Sequence, residues 1–106
     1  MPKYMFKSHL NVQGVKGTMA DGGVKRKAAV EAALASVGGS LEAMYYAFGD
    51  TDAYAIVDLP SHAHAVSAAA MVVSSGTGSV ETVVLIDPST VDEAGSIQAD
   101  YSPPGG

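Results

Sequence analysis

The chain has 106 residues, 47% of them hydrophobic and 16% charged, which suits one domain with a modest core and excludes extensive disorder. A net charge of −5 without a long basic run argues against general binding to nucleic acids or anionic membranes, and the absence of cysteine excludes disulfides, thiolate metal sites and cysteine nucleophiles. No apolar run approaches the roughly 20 residues of a membrane span, and the N-terminus is strand-like, so we expect a cytoplasmic protein.

A strand and a long loop are predicted at the start of the chain. Residues 3–10 place aromatic and aliphatic side chains on one face and mostly polar or charged ones on the other, which is typical of a half-buried strand. Residues 11–23 contain four glycines, so we expect a loop there, with one helical turn near residues 15–19.

Two helices with similar stripes of valine and alanine follow. In residues 24–37 apolar side chains recur at i, i+3, i+4 and i+7, and Gly38-Gly39 supplies a stop. Residues 62–74 repeat this stripe after Ser61, which suits the N-cap position. The chain therefore carries two amphipathic helices of the same kind.

Three further strands are predicted. Residues 40–48 and 53–59 are joined by a polar turn, in which Gly49 supplies a positive φ and aspartates bond the turn backbone. Residues 79–87 form the last strand, and Asp87 can cap a short helix ending at Ala94. We expect residues 1–95 to form a single domain and the Pro/Gly/Ser-rich residues 96–106 a flexible tail.

The order of these elements is βαββαβ, which predicts an α+β, ferredoxin-like fold. In this fold a four-stranded antiparallel sheet carries two helices on one face, with the first and third strands in its centre. The second and fourth strands are apolar on both faces, so the face without helices needs a second cover. We therefore expect a homodimer or a larger homo-oligomer.

Short motifs along the chain resemble the GYD domain family. They are Tyr4-Met5-Phe6-Lys7, Gln13-Gly14-Val15-Lys16-Gly17, Phe48-Gly49-Asp50-Thr51-Asp52 and Val57-Asp58-Leu59-Pro60. The similarity covers about residues 2–95, and in the motif that names the family Thr51 stands where an aromatic residue is usual. The resemblance implies a dimeric α/β barrel, in which two ferredoxin-like sheets face each other, and a family without an assigned reaction. Fold relatives include small monooxygenases, lactone isomerases and haem-handling enzymes, but a fold does not transmit an activity.

Candidate site residues lie on the predicted central strands. His9 shares its strand face with Met5, and an imidazole in a pocket between two sheets can act as a general base. Tyr54 and Asp52 are expected on the same face, with Tyr46 joining from the edge strand, as ligand-binding groups. The alternatives are a hydrogen-bonded interface histidine, core or interface tyrosines, and an aspartate that bonds its own turn.

Neither a metal nor a cofactor is expected. His62 and His64 fall in the first turn of a helix, about 200° apart, and no partner set with ligand spacing supports them. The basic run 25–27, with Lys16, could meet an anion near a helix start, whereas a solvated helix face is the simpler interpretation.

Three functions stay open at this point. The first is a dimer that binds a small molecule in the cavity between its sheets. The second is a small cofactor-independent enzyme, monooxygenase- or isomerase-like, with His9 as general base. The third is a structural or interaction protein without a pocket.

Overall fold

The computed structural model describes residues 1–106, which form one antiparallel sheet and four helices. In chain order the elements are β1 (Lys3–Leu10), α1 (Val12–Asp21), α2 (Gly23–Ser36), β2 (Ser40–Tyr46), β3 (Ala53–Asp58), α3 (His62–Ser74), β4 (Gly78–Leu85) and α4 (Pro88–Ser96). The strand order β2-β3-β1-β4 puts the first and third strands in the centre. The predicted α+β, ferredoxin-like architecture is confirmed.

Local signals explain where α2 and α3 begin and end. Ser61 caps α3, since its hydroxyl oxygen accepts a hydrogen bond from the backbone N–H of His64. Gly38 follows α2 with φ of +79°, a left-handed conformation that glycine adopts freely. None of the helices combines the length and the apolar character needed to cross a bilayer.

The loop predicted for residues 11–23 is wrong, because most of that segment is the helix α1. Asn11 is its N-cap, and the side-chain oxygen accepts a hydrogen bond from the backbone N–H of Gly14 at 2.9 Å. Each helical glycine costs about 1 kcal/mol relative to alanine. At Gly14 the missing side chain is required, because a Cβ there would lie 2.1 Å from the carbonyl oxygen of Thr77. Gly14 therefore allows α1 to pack closely against the segment before β4, although its presence in the sequence favoured a loop at this position.

The turn between β2 and β3 also differs from the prediction. The residue with positive φ is Phe48, at +53°, and not Gly49. The Phe48 ring stacks on Tyr46, with centroids 5.7 Å apart and planes inclined by 10°. Since a bulky residue rarely adopts this conformation, the stacking compensates for part of the strain.

The packed core fills one half of the space between the sheet and the helices. Its buried residues are Tyr4, Phe6, Leu34, Ala55, Val57, Leu59, Ala65 and Ala68. They come from alternate positions of β1 and β3, from Leu59 directly after β3, and from the inner sides of α2 and α3. The helices therefore cover a single face of the sheet.

The opposite face of the sheet, called the outer face below, carries an apolar row across all four strands. This row consists of Ala43, Ile56, Met5 and Val83. Beside it, the Nζ atom of Lys3 lies 2.8 Å from a carboxylate oxygen of Asp58 and 2.7 Å from one of Glu42. Hydrogen bonding to Asp58 first, and to Glu42 second, raises the pKa of Lys3. On the other side, Lys7 lies 3.6 Å from Glu81. Each outer-face lysine is thus paired.

Candidate functional site

A cavity of about 360 Å³ lies between the helices and the sheet, beside the packed core. This volume falls at the lower end of the range of about 300–1,000 Å³ for small-molecule sites. The apolar wall is supplied by Phe6, Leu10, Val30, Met44, Ala53, Ala55, Val72 and Val80. We call this space the helix-side cavity.

Small side chains on both sides keep the helix-side cavity open. Ala53 and Ala55 form part of its floor on β3, and their small side chains leave space that a larger residue would fill. On α1, Gly14, Gly17 and Thr18 follow the i, i+3, i+4 spacing and form a narrow strip that faces the cavity. The neighbouring half of the sheet carries Tyr4 and Val57 instead and is filled.

One end of the helix-side cavity is polar and contains a cation. Arg26 and Asp21 line it, with a guanidinium nitrogen 3.6 Å from a carboxylate oxygen. The phenol of Tyr46 lies at the same end, and burial raises its pKa, while the positive charge of Arg26 lowers it in part. This end offers a guanidinium and a neutral hydroxyl to a ligand group that accepts hydrogen bonds.

The other polar groups come from the segment that joins α3 to β4. The hydroxyl oxygens of Ser75 and Thr77 lie 2.8 Å apart, and both residues line the cavity. Asn11 holds this segment against α1, because its backbone N–H donates to the Thr77 carbonyl at 3.0 Å and its side-chain amide donates to the Gly76 carbonyl at 2.8 Å. The start of α1 therefore positions this wall.

Of the predicted site residues, His9 and Tyr54 lie on one face of the sheet and Tyr46 lies on the other. His9 pairs with Ser79, and Tyr54 pairs with Lys7, so both side chains belong to the outer face. Tyr46 pairs with Ala53, a buried position, and so lies on the helix side with Arg26. The expectation that Tyr46 joins His9 and Tyr54 on one face is wrong. Since β2 is apolar on both faces, its sequence pattern does not indicate the face on which Tyr46 lies. The register of β2 with β3 determines that face.

Asp52 makes a backbone contact at the end of β1. Its carboxylate oxygen accepts a hydrogen bond from the backbone N–H of Leu10 at 2.7 Å, and its own N–H donates to the carbonyl of Ser8 at 2.9 Å. The residue thereby extends the pairing between β1 and β3 beyond the last strand position. The binding roles predicted for His9, Tyr46, Asp52 and Tyr54 stay predictions.

The two histidines of α3 each have a local partner. The hydroxyl of the buried Tyr4 lies 2.6 Å from Nδ1 of His62, and Nδ1 of His64 lies 2.7 Å from the hydroxyl of Ser61. No group of three or more His, Asp or Glu side chains is placed to hold a metal ion.

The sequence was compared with models of protein families. The model of the GYD domain matches residues 4–94 of the 106. The chain belongs to the GYD domain family. No curated protein and no solved structure matches it.

Sequence reasoning missed Thr18 and Val72 and gave Arg26 only a general role. The signal for α1 was present, since Asn11 precedes a segment whose small residues follow a helical spacing. For Arg26, the basic run pointed to an anion near the start of α2, but a sequence does not show that one of three cations faces inward. The GYD domain brings it beside Tyr46 by packing α2 over β2.

Proposed function

We propose that this GYD domain binds a small organic molecule in the helix-side cavity. The observation that carries the proposal is an apolar chamber of about 360 Å³ with a guanidinium and a phenol at one end and hydroxyls near the other. Apolar walls with a few convergent polar groups are typical of small-molecule sites. This differs from the expected site between two sheets, since the chamber lies on the opposite side of the sheet.

The chemistry of the walls favours a ligand with an apolar body and one hydrogen-bond acceptor. The apolar part fits against Val30, Met44 and Val72, and a carboxylate, carbonyl or phenolate oxygen fits near Arg26 and Tyr46. Asp21 already neutralises part of the Arg26 charge. A single acceptor or a single negative charge therefore matches this end better than a multiply charged group such as a phosphate.

We propose further that the domain acts as a homodimer through its outer face. The support is the apolar row across the sheet, bordered by lysines that already have carboxylate partners. Burying a paired charge costs less than burying a single one, so this face is suited to contact a second copy. His9 and Tyr54 would then lie near the dimer interface.

Catalysis with His9 as general base is the second candidate function. Its support is the outer-face position of His9 on β1, where a facing second copy would enclose the imidazole. Binding ranks first, because the nearby carboxylate of Asp52 bonds the Leu10 backbone and no hydrogen bond orients the imidazole. A His9→Ala variant with unchanged affinity and lost turnover would favour the enzyme, and unchanged turnover would remove it.

The binding proposal is tested with a variant that obstructs the cavity. Gly17 lines the cavity, and a Cβ built on it meets no atom within 4 Å, so Gly17→Leu adds a side chain without a backbone clash. Gly95→Leu is the matched control, since Gly95 is an unobstructed helical glycine on α4 outside the cavity. Titration calorimetry with 4-ethylbenzoate and 4-ethylphenol provides an anionic and a neutral probe.

We expect Gly17→Leu to weaken binding of both probes by at least about tenfold, because the added side chain occupies part of the cavity. This factor corresponds to roughly 1.4 kcal/mol of binding free energy. Gly95→Leu should bind as the wild type does. Arg26→Gln should weaken binding of the benzoate selectively. Equal affinities in wild type and Gly17→Leu, or no binding of either probe by the wild type at millimolar concentration, would contradict the proposal.

A further inference from the structure

Thr18 differs from the other polar residues of the helix-side cavity because it is buried and its hydroxyl is unbonded. It lies on the side of α1 that faces the sheet, is 7% exposed and lines the cavity. Its hydroxyl makes no hydrogen bond within the chain, yet no fully enclosed side-chain oxygen or nitrogen lacks a partner. The hydroxyl of Thr18 is therefore open to the cavity.

Hydroxyls elsewhere in the helices bond to their own backbone. Ser74 donates to the carbonyl of Ala70 at 2.7 Å, and Ser96 donates to the carbonyl of Glu93 at 2.7 Å. Such bonds are a common way to satisfy a serine or threonine within a helix. The side chain of Thr18 does not form one, although its carbonyl accepts from the N–H of Gly22 at 2.8 Å. The Thr18 hydroxyl is thus left for a group inside the cavity.

The two hydroxyls at the α3–β4 end of the cavity already have partners. Ser75 donates to the carbonyl of Val72 at 2.6 Å, and its oxygen lies 2.8 Å from the hydroxyl oxygen of Thr77. Since the Ser75 proton is used on Val72, Thr77 is the donor within the pair. Both protons are therefore engaged, whereas the Thr18 hydroxyl can donate and accept.

The position of Thr18 along α1 relates it to the polar end of the cavity. Gly14 packs on the backbone of Thr77 at one end of α1, and Asp21 pairs with Arg26 at the other. These two ends are about 10 Å apart along the helix axis, and Thr18 lies about 4.5 Å before Asp21. A ligand with its acceptor at Arg26 therefore brings the next part of its body to Thr18.

We propose that Thr18 is a specificity-determining residue that selects organic acids carrying a hydroxyl group about one helical turn from the carboxylate. The carboxylate lies at Arg26, and the ligand hydroxyl bonds to the hydroxyl of Thr18. A ligand with only apolar atoms at this point leaves a buried hydroxyl unpaired, which lowers its affinity. This inference rests on the proposed binding of a small molecule in the helix-side cavity and names the class of that ligand.

Two probes of nearly equal size test this selection. They are 4-ethyl-3-hydroxybenzoate and 4-ethyl-3-methylbenzoate, which differ by a hydroxyl and a methyl group. Titration calorimetry measures their affinities for the wild type and for Thr18→Val, in which a methyl group replaces the hydroxyl. The four affinities form a double-mutant cycle that isolates the contact between the two hydroxyls. Thr90→Val is the matched control, since Thr90 is an exposed threonine of α4 outside the cavity.

We expect the wild type to bind the hydroxyl probe about three- to tenfold more tightly than the methyl probe, the range for one net hydrogen bond. Thr18→Val should lose this preference. Thr18→Ala, which also lacks the hydroxyl, should lose it as well. Thr18→Ser, which keeps the hydroxyl, and the control Thr90→Val should retain it.

Three results would overturn the inference while 4-ethylbenzoate still binds. The wild type could show no preference, or Thr18→Val and Thr18→Ala could both keep it. The preference could also disappear in Ser8→Ala and persist in the Thr18 variants, since Ser8 is half-buried and lines the same cavity. Failure of the wild type to bind any of the three benzoates at millimolar concentration would instead reject the cavity as the binding site.

Discussion

At the scale of single residues, the carboxylate of Asp52 has a structural role. It accepts a hydrogen bond from the Leu10 backbone at 2.7 Å, where β1 ends beside the helix-side cavity. Asp50, two positions earlier, is exposed and makes no such bond. The two aspartates of one turn are therefore predicted to respond differently to substitution.

We expect Asp52→Ala to lower the free energy of unfolding by about 1–3 kcal/mol, because the Leu10 N–H loses its acceptor in a partly buried place. Asp52→Asn should lose less, since an amide oxygen can still accept. Asp50→Ala should stay within about 0.5 kcal/mol of the wild type. Urea unfolding of the three variants measures this, and an Asp52→Ala protein as stable as Asp50→Ala would show that the bond contributes nothing.

Tyr46 provides a prediction about pH. Burial raises its pKa and Arg26 lowers it in part, so Arg26→Gln should raise the pKa further. The native state favours the protonated phenol, so this group leaves stability unchanged below its unfolded pKa of about 10. Stability then falls as the pH rises through the folded pKa.

Ultraviolet difference titration of each protein against its own Tyr46→Phe counterpart isolates this phenol. The Arg26→Gln curve should be displaced to higher pH, and Lys16→Gln should leave the curve unchanged. A displacement to lower pH in Arg26→Gln would contradict the arrangement of the polar end.

The sequence predicts the face of the sheet for some of the candidate site residues and not for others. Alternation on β1 and β3 predicts the outer-face positions of His9 and Tyr54, because one face of each strand is consistently apolar. Tyr46 lies on a strand with bulky apolar residues on both faces and a register shift between Leu41 and Ala43. Its orientation depends on pairing with β3, which no local pattern in β2 encodes.

At the scale of elements, apolar periodicity predicted the strands and the two long helices, whereas α1 was indicated only by its N-cap Asn11 and the spacing of its small residues. Periodic stripes survive in α2 and α3 because each packs one side on the sheet. In α1 the buried residues are Gly14 and Thr18, and the exposed Gly17 beside them lines the cavity, so the side of α1 that faces the sheet carries no hydrophobic signal. The small residues of α1 leave the helix-side cavity open. The same residues make the composition of this segment typical of a loop.

Two glycines of α1 should respond with opposite signs. Gly17→Ala should stabilise the protein by about 0.8–1 kcal/mol through helix propensity, because its Cβ meets open space. Gly14→Ala should destabilise it, because its Cβ would lie 2.1 Å from the backbone oxygen of Thr77. Thermal unfolding of both variants measures the signs. Stabilisation by both would mean that α1 does not pack against the β4 segment as described.

At the scale of the whole molecule, the monomer leaves two apolar regions uncovered. One is the row on the outer face, and the other is the C-terminal segment 86–106, in which Val91, Ile97 and Tyr101 are exposed. A two-fold arrangement with facing sheets would cover the row on the outer face. The ferredoxin-like fold was predictable from element order, whereas the direction of residues 86–106 was not, since nothing in their pattern specifies where they leave the sheet.

Ile56→Lys should dissociate the proposed dimer, because it puts an unpaired charge in the centre of the apolar row. Val66→Lys, a substitution on the exposed side of α3, should leave the association unchanged. Sedimentation equilibrium at micromolar concentration compares the two. A wild-type protein that sediments near its monomer mass of 10.7 kDa would contradict the dimer.

The helix-side cavity is proposed to bind a small molecule while the adjacent core stays closed. Methyl NMR during titration with 4-ethylbenzoate measures this most directly, because methyl groups line both regions. We expect shifts for Val30, Met44, Val72 and Val80 in the cavity, and unchanged signals for Leu34, Val57 and Leu59 in the core. Saturating shifts confined to the outer-face methyls of Met5, Ile56 and Val83 would contradict it and return the site to the space between two sheets.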